Sequence, residues 1–255
     1  MSLRHRYDTG EPLLWSGLLA CGVLVYAAWP ELDLRISRLA FDSEHCFVAN
    51  SSETIEWIHH TVPFVGWLMF LSGVAISLGV RGRQRLRLRM AGAALALIML
   101  LGVAAAVNGL LKNHWGRARP VHVVEFCGSA RYTPPLMITR QCERNCSFVS
   151  GHASTGFALM ALGSCGHRRQ RRRWVITGWG AGLLLGVLRI AQGGHFFGDV
   201  LFAGLLMWGL SIAVRPALRE GLQFLRRVRH TASGSMSMLE SASGRRKKRP
   251  DIVRS

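Results

Sequence analysis

The chain of 255 residues is poor in acidic residues: 14 Asp and Glu stand against 32 Lys and Arg, which gives a formal net charge of +18. A basic excess of this kind is often found in proteins that bind nucleic acid. The distribution of the charge argues against that function, because the basic residues are gathered in short groups between long apolar segments. No internal repeat is evident either, which argues against a repeat architecture.

Apolar residues make up 49% of the chain and are concentrated in six segments, at residues 13–29, 62–80, 90–111, 148–166, 174–192 and 197–214. A helix needs roughly 20 mostly apolar residues to cross a bilayer. Five segments meet or approach that length, whereas 148–166 is marginal because it begins with several polar side chains. We therefore predict an all-α, polytopic membrane protein with six transmembrane helices and a long outer loop between helices 3 and 4. We expect the first segment to be retained, because it has no clear cleavage site.

The basic groups predict the orientation of these helices. Five arginines lie within residues 81–89 and five within 168–173, two precede the first helix, and eleven Lys or Arg follow the last. If six helices alternate, all of these groups lie on one side, which the positive-inside rule makes cytoplasmic. Both termini are then cytoplasmic, and the loops at 31–61, 112–150 and 193–196 face the periplasm of a bacterial inner membrane.

The chain divides by composition into two parts. We predict a six-helix membrane domain over residues 1–232 and a basic, disordered cytoplasmic tail over 233–255, which is rich in Ser, Gly, Lys and Arg. The tail adds charge on the inner side and attracts anionic lipid.

Four cysteines fall in the predicted outer loops: Cys46, Cys127, Cys142 and Cys146. Disulfides persist outside the cytosol, and four cysteines allow three pairings. The spacing of the last two also fits a metal site, but nothing nearby completes the set of ligands. We favour a disulfide that stiffens the loop just before Ser150.

Three short stretches at the predicted outer face carry the candidate chemistry, at residues 112–120, 150–152 and 189–199. Lys112, Arg119 and Arg189 are candidates for neutralising a phosphate, because arginine can donate two hydrogen bonds to its oxygens and lysine acts as a point charge. The first two could equally be interfacial anchors of a helix end. Arg189 interrupts an apolar helix at a cost of about 2.5–3.5 kcal/mol, so we expect a ligand or another helix to supply its partner.

Two histidines are candidates for the chemistry itself. His195 and Asp199 are four residues apart, so they lie on one helix face. A carboxylate that accepts a proton from one imidazole nitrogen leaves the other free to attack phosphorus, although Asp199 could instead be a helix cap. Backbone N–H groups at Ser150 and Gly151 could bind a phosphate oxygen. His152 could then protonate the leaving oxygen and activate water.

The combination of Lys112 with Arg119 and Pro120, then Ser150-Gly151-His152, then Arg189 with His195 and Asp199 resembles the type-2 phosphatidic acid phosphatase superfamily. That superfamily includes membrane lipid phosphatases, bacterial acid phosphatases and vanadium haloperoxidases. Val149 stands where the family usually has proline, and Leu188 where it often has serine, but neither departure removes a reactive group. The stretch at 142–152 resembles the lipid A phosphatase branch.

This resemblance implies a phosphatase that needs no metal or other cofactor. It implies that His195 is the nucleophile and forms a phosphohistidine, that Asp199 orients it, and that His152 is the general acid and then the general base. It further implies a set of phosphate-binding residues, namely Lys112, Arg119, Ser150, Gly151 and Arg189.

The sequence thus predicts an enzyme acting on a phosphorylated membrane lipid, with no nucleic-acid partner. Lipid A, undecaprenyl pyrophosphate, phosphatidylglycerol phosphate and phosphatidic acid remain open as substrates, and the oligomeric state is open too. A lipid phosphotransferase that uses the same intermediate is one alternative. A transporter or scaffold that retains an anion site is another.

Overall fold

The computed structural model describes residues 10–44, 46–47, 49, 52–82, 85–221 and 223–224, and these are mostly helical. The chain up to Arg215 forms one compact unit, and a second unit begins at Pro216, of which residues 216–221 are helical. The predicted tail at 233–255 lies outside the described residues.

The first unit contains eight α-helices among its described residues. They are α1 (Gly10–Ala28), α2 (Leu32–Arg38), α3 (Glu53–Gly79), α4 (Leu86–Ile98), α5 (Lys112–His114), α6 (Gly151–Phe157), α7 (Arg168–Ala191) and α8 (Phe197–Ala213). A π-helix at Met99–Leu111 joins α4 to α5, and a 3-10 helix at Ala158–Gly163 continues α6. Two further 3-10 turns occupy Pro120–His122 and Val124–Phe126. Strands β1 (Phe41–Asp42) and β2 (Cys46–Phe47) pair antiparallel.

Within the described residues, five helices are long and apolar enough to cross a membrane: Gly10–Ala28, Glu53–Gly79, Leu86–His114, Arg168–Ala191 and Phe197–Gly221. The sixth predicted span, at 148–166, is divided between α6 and the 3-10 helix that follows it. Together these are shorter than the roughly 20 residues that a bilayer requires. The count of six spans is therefore not confirmed.

Glycines of α7 allow the neighbouring helices α6 and α8 to pack directly against its backbone. A Cβ added to Gly182 would lie 2.2 Å from the ring of Phe157, and one added to Gly186 would lie 2.3 Å from Val200. Gly180 differs, because nothing lies within 4 Å of its added Cβ. The glycines of α7 thus hold α6 and α8 close, which is the usual role of small residues in packed membrane helices.

The segment at 112–150 is held to the first part of the chain by an apolar cluster and a disulfide. The cluster comprises Leu34, Phe47, Ala118, Val123, Phe126 and Phe196. One disulfide joins Cys46 of β2 to Cys127, and a second joins Cys142 to Cys146. The second closes the turn just before Ser150, as predicted.

A buried charged cluster ties α1, α7 and α8 together around Glu11. Its Oε1 accepts hydrogen bonds from Arg171 Nη2 at 2.7 Å and from Trp208 Nε1 at 2.8 Å. Its other oxygen accepts from Arg215. Arg171 is only 4% exposed, so one arginine of the basic group at 168–173 is a packing residue rather than a solvated loop charge.

Candidate active site

The three sequence stretches meet at one end of the helices. Lys112 begins α5, Ser150 caps α6, Arg189 lies in the last turn of α7, and Asp199 lies in the first turn of α8. The backbone N–H of Ser150 donates to the carbonyl of Asp199 at 3.1 Å, which joins the starts of α6 and α8. His195 lies between Arg189 and Asp199 in the turn that connects α7 to α8.

His195 is buried among positive charges. Its side chain is 1% exposed. Burial is the largest cause that lowers the pKa of His195 well below its ordinary value, and the charges of Lys112, Arg119, Arg189 and His152 add to it. The lowered pKa favours the neutral imidazole, which is the form that can act as a nucleophile.

Lys112 and Arg119 are held together by Asn145. The Nζ of Lys112 donates to Asn145 Oδ1 at 3.2 Å, and Arg119 Nη2 donates to the Asn145 carbonyl at 2.8 Å. Asn145 has a φ of 52°, a left-handed conformation that asparagine adopts more readily than most residues. It sits inside the turn closed by the Cys142–Cys146 disulfide, so a covalently fixed turn presents two oxygens to two cations.

Arg189 is buried with only part of its hydrogen-bonding capacity used. Its Nη1 donates to Gln192 Oε1 at 2.6 Å, while its buried Nε has no partner in the described part of the chain. A Cβ added to Gly194 would lie 2.2 Å from Arg189 Nη2, so a glycine is needed there for the guanidinium to keep its place.

These three cations share one property. Among the described residues, neither Lys112, Arg119 nor Arg189 forms an ion pair with a carboxylate, and each instead donates to a neutral amide oxygen. Buried charges in proteins are ordinarily paired. The cluster is thus suited to bind an anion.

Asp199 lies beside His195 but is engaged elsewhere. The distance between His195 Nδ1 and Asp199 Oδ2 is 3.7 Å, beyond a hydrogen bond. The oxygens of Asp199 accept from Arg117, from the Ser147 hydroxyl and from the backbone N–H of Phe196. His195 Nδ1 has no hydrogen-bond partner in the described part of the chain, so the orienting role of Asp199 stays a prediction.

Arg117 is a residue that the sequence analysis did not single out. Its guanidinium is fully buried and bridges Asp199 to Asp33, with Nη2 2.6 Å from Asp33 Oδ2. Burial acts to lower the pKa of Arg117, but Asp199 and Asp33 outweigh it and raise that pKa above its ordinary value. Burial raises the pKa of Asp33, while Arg117 opposes the rise. The position of Arg117 between Lys112 and Arg119 was the sequence signal that could have identified it.

His152 contacts a second histidine that the sequence analysis also missed. His152 Nε2 lies 2.8 Å from His59 Nδ1 and 3.0 Å from the His59 carbonyl oxygen, and the two rings stack with centroids 4.5 Å apart. His59 belongs to α3, so this contact joins α3 to α6. A histidine within an apolar segment that also contains Pro63 was the signal that could have identified it.

A cavity of about 510 Å³ opens beside these residues. One part is polar, lined by His59, Asn108, Lys112, Asn145 and His152; the rest is largely apolar, lined in part by Pro63, Trp67, Phe70, Met99, Leu100 and Val103. Of the eight predicted site residues, Lys112, Gly151 and His152 line it, and the other five do not. Within the described residues, no group of three or more His, Cys, Asp or Glu is placed to hold a metal ion.

The structure thus combines a buried histidine, three cations that lack carboxylate partners among the described residues, and five helices long and apolar enough to cross a membrane. Residues 93–220 match the model of the PAP2 superfamily, and the chain belongs to that superfamily. The resemblance stated from the motifs is thereby confirmed.

Three curated relatives are named lipid A 4'-phosphatase. The protein from Francisella tularensis subsp. novicida (strain U112) is 32% identical over 198 residues, covering 75% of this chain and 89% of that protein. The one from Rhizobium leguminosarum is 25% identical over 221 residues, covering 80% and 91%. The one from Rhizobium etli is 33% identical over 120 residues, covering 47% and 45%. No solved structure matches the chain at a significant level.

Proposed function

We propose that this protein is a membrane lipid phosphatase that removes a phosphomonoester from lipid A. The observation that carries the proposal is the group of three cations around His195, namely Lys112, Arg119 and Arg189, whose hydrogen-bond partners among the described residues are neutral oxygens. A phosphate monoester supplies the negative charge that this group lacks, and phosphoryl transfer depends on such positioning and neutralisation.

The cavity supports a lipid as the substrate. Its polar part contains Lys112 and His152, and its apolar part lies along α3 and the π-helix, within segments able to span a membrane. A phosphate bound at the polar part would place an attached acyl chain against apolar side chains. Lipid A is favoured because the curated relatives carry that substrate in their names.

The reaction proceeds in two steps. His195 attacks phosphorus, the bond from phosphorus to the lipid oxygen breaks, and His152 donates a proton to that oxygen. His152 then takes a proton from water, which attacks the phosphohistidine and releases phosphate. Asp199, which Arg117 holds in place, accepts a hydrogen bond from His195 Nδ1 after the His195 side chain rotates to close the 3.7 Å gap. The phosphate oxygens bind to the three cations and to the backbone at Ser150 and Gly151.

This mechanism requires no metal ion, because the protein supplies both the nucleophile and the positive charge that stabilises the transferring group. Release of phosphate should therefore survive an excess of chelator. Vanadate should inhibit, since its five-coordinate form imitates phosphorus under attack by the histidine.

The active site faces the periplasm. Both disulfides lie in the 31–61 and 112–150 parts of the chain that form the site and its surroundings. Disulfides persist outside the cytosol. The segment at 148–166 then completes a sixth crossing of the inner membrane despite its break, and both termini are cytoplasmic, as the basic groups predict.

The test uses protein purified in detergent and four lipids side by side: lipid A, phosphatidylglycerol phosphate, undecaprenyl pyrophosphate and phosphatidic acid. We expect free phosphate from lipid A above the other three, and none from the His195→Ala variant. His60→Ala is the matched control, because His60 is exposed on α3 and outside the site. Phosphate release by His195→Ala at the wild-type rate would refute the proposal. Recovery of labelled phosphate on a second lipid would instead indicate a phosphotransferase.

A further inference from the structure

Pro63 frees a backbone acceptor on α3. In an α-helix the carbonyl of a residue accepts a hydrogen bond from the N–H four residues later, and proline has no N–H. Pro63 lies inside α3, so the carbonyl of His59 has no donor at that position of the helix. The same oxygen lies 3.0 Å from His152 Nε2. The gap that proline leaves in the helix is thus filled by the candidate general acid.

This contact fixes which nitrogen of His152 carries hydrogen. A carbonyl oxygen only accepts, so His152 Nε2 must be the donor. His59 Nδ1 lies 2.8 Å from the same Nε2 and can accept as well. Two acceptors of one residue therefore converge on one N–H, and the Nδ1 of His152 is left to exchange protons.

We propose that His59 is a positioning residue of the reaction. Its imidazole, and its backbone carbonyl that Pro63 leaves without a helical donor, accept hydrogen bonds from Nε2–H of His152, so that Nδ1 of His152 serves as general acid and then as general base. The inference rests on the proposed phosphatase function. In the first step, the proton leaves Nδ1 of the His152 imidazolium for the lipid oxygen as the phosphorus–oxygen bond breaks, which yields the neutral Nε2–H form. In the second, Nδ1 takes a proton from the attacking water, and the imidazolium is restored.

The surroundings explain why such help is needed. Burial disfavours a positive charge on His152, and repulsion from Arg189 of α7, from His59 when it is protonated and from Lys112 adds to that effect. Hydrogen bonds from Nε2 to two acceptors favour the protonated form and offset part of that repulsion.

The experiment measures kcat against pH, together with the melting temperature, for four variants. In His59→Ala the side-chain acceptor is lost, and we expect kcat to fall about tenfold to a hundredfold. That loss lies at or below the lower end of the roughly 10²–10⁴-fold typical for general acid–base catalysis, because His152 itself remains. The alkaline limb of the profile should move to lower pH, because the imidazolium loses a stabilising acceptor. His59→Asn places an amide oxygen where Nδ1 lies in histidine, so it should recover most of kcat.

Pro63→Ala separates positioning from stability. It restores an N–H that competes for the His59 carbonyl, so kcat should fall, yet it removes a proline from a helix interior, so the melting temperature should rise. His60→Ala, the exposed neighbour, should change neither. A purely structural role for His59 predicts instead that kcat follows the melting temperature in every variant.

The outcomes are distinguishable from failure of the proposed function. If wild-type protein releases no phosphate from any lipid, or His195→Ala is as active as wild type, the phosphatase proposal fails. If wild type is active and depends on His195, but His59→Ala keeps the wild-type kcat and pH profile, the role of His59 is wrong. Loss of activity in His59→Asn equal to that in His59→Ala, with both variants folded, would also overturn it.

Discussion

Replacement of Arg117 by leucine should cost more stability than any other single change around the site. Its side chain and those of Asp33 and Asp199 are all 0% exposed, so the change leaves two carboxylates in the interior without their cation. Removing one member of a buried ion pair costs about 3–5 kcal/mol, and Arg117 serves two carboxylates. The expected loss is a large part of a typical total of about 5–15 kcal/mol.

Two comparisons identify the cause of that loss. Arg117→Lys keeps the charge but cannot reach both carboxylates and the Thr133 carbonyl, which Arg117 Nε contacts at 2.8 Å, so we expect an intermediate loss. The deficit of Arg117→Leu should also shrink as pH falls. The pKa of Asp33 is already raised by burial and is held down by Arg117, so it rises further without the arginine. The native state then binds a proton that the unfolded state does not, and it gains stability at acid pH.

Reversible denaturant unfolding in detergent, at two pH values on either side of neutrality, measures both effects. A loss below about 1 kcal/mol, the size expected of an exposed pair, would refute the argument. So would a deficit that grows as pH falls.

Three further changes test the site. Asn145→Gly keeps the left-handed backbone and the backbone carbonyl but removes the side-chain oxygen that accepts from Lys112. KM for the lipid should therefore rise several-fold, with little change in melting temperature. An unchanged KM would contradict this. Gly194→Ala should displace Arg189 and lower kcat/KM, whereas Gly180→Ala, with open space around it, should not, so equal activities would count against the contact. Because the pKa of His195 is lowered, the unfolded state binds more protons below about pH 6.5. Wild type should therefore lose stability relative to His195→Ala as pH falls below that value, as thermal melts would detect.

The sequence alone was enough to identify several site residues whose side chains are cationic or are imidazoles. Lys112, Arg119, His152, Arg189 and His195 were found from their types, their spacing and the apolar segments around them, and electrostatics in the structure links them as one cluster. The disulfide before Ser150 could be anticipated from position, since short separation and a shared outer loop favour it.

What the sequence could not supply were partners that come from distant parts of the chain. Arg117 meets Asp33 across 84 residues, and His59 meets His152 across 93. No local pattern in the sequence indicates either contact, because each depends on how distant segments of the chain pack against one another. The apolar content of residues 148–166 predicts a span, but the structure divides this segment between the short helix α6 and a 3-10 helix. The composition of the segment does not predict that it is divided into two helices of different type.

The charge balance of the site links its stability to its function. Arg117, Lys112, Arg119 and Arg189 are four cations, and the carboxylates among them are Asp33 and Asp199, so two positive charges remain when all six groups are ionised. A phosphate monoester carries about −1.5 to −2 charges near pH 7. Both carboxylates are already bound to Arg117, so they cannot neutralise the other three cations without giving up a buried pair. We therefore propose that Arg117 holds Asp199 fixed and that the phosphate of the substrate matches the remaining positive charge, which would complete the pairing of a site that is otherwise electrostatically costly to bury.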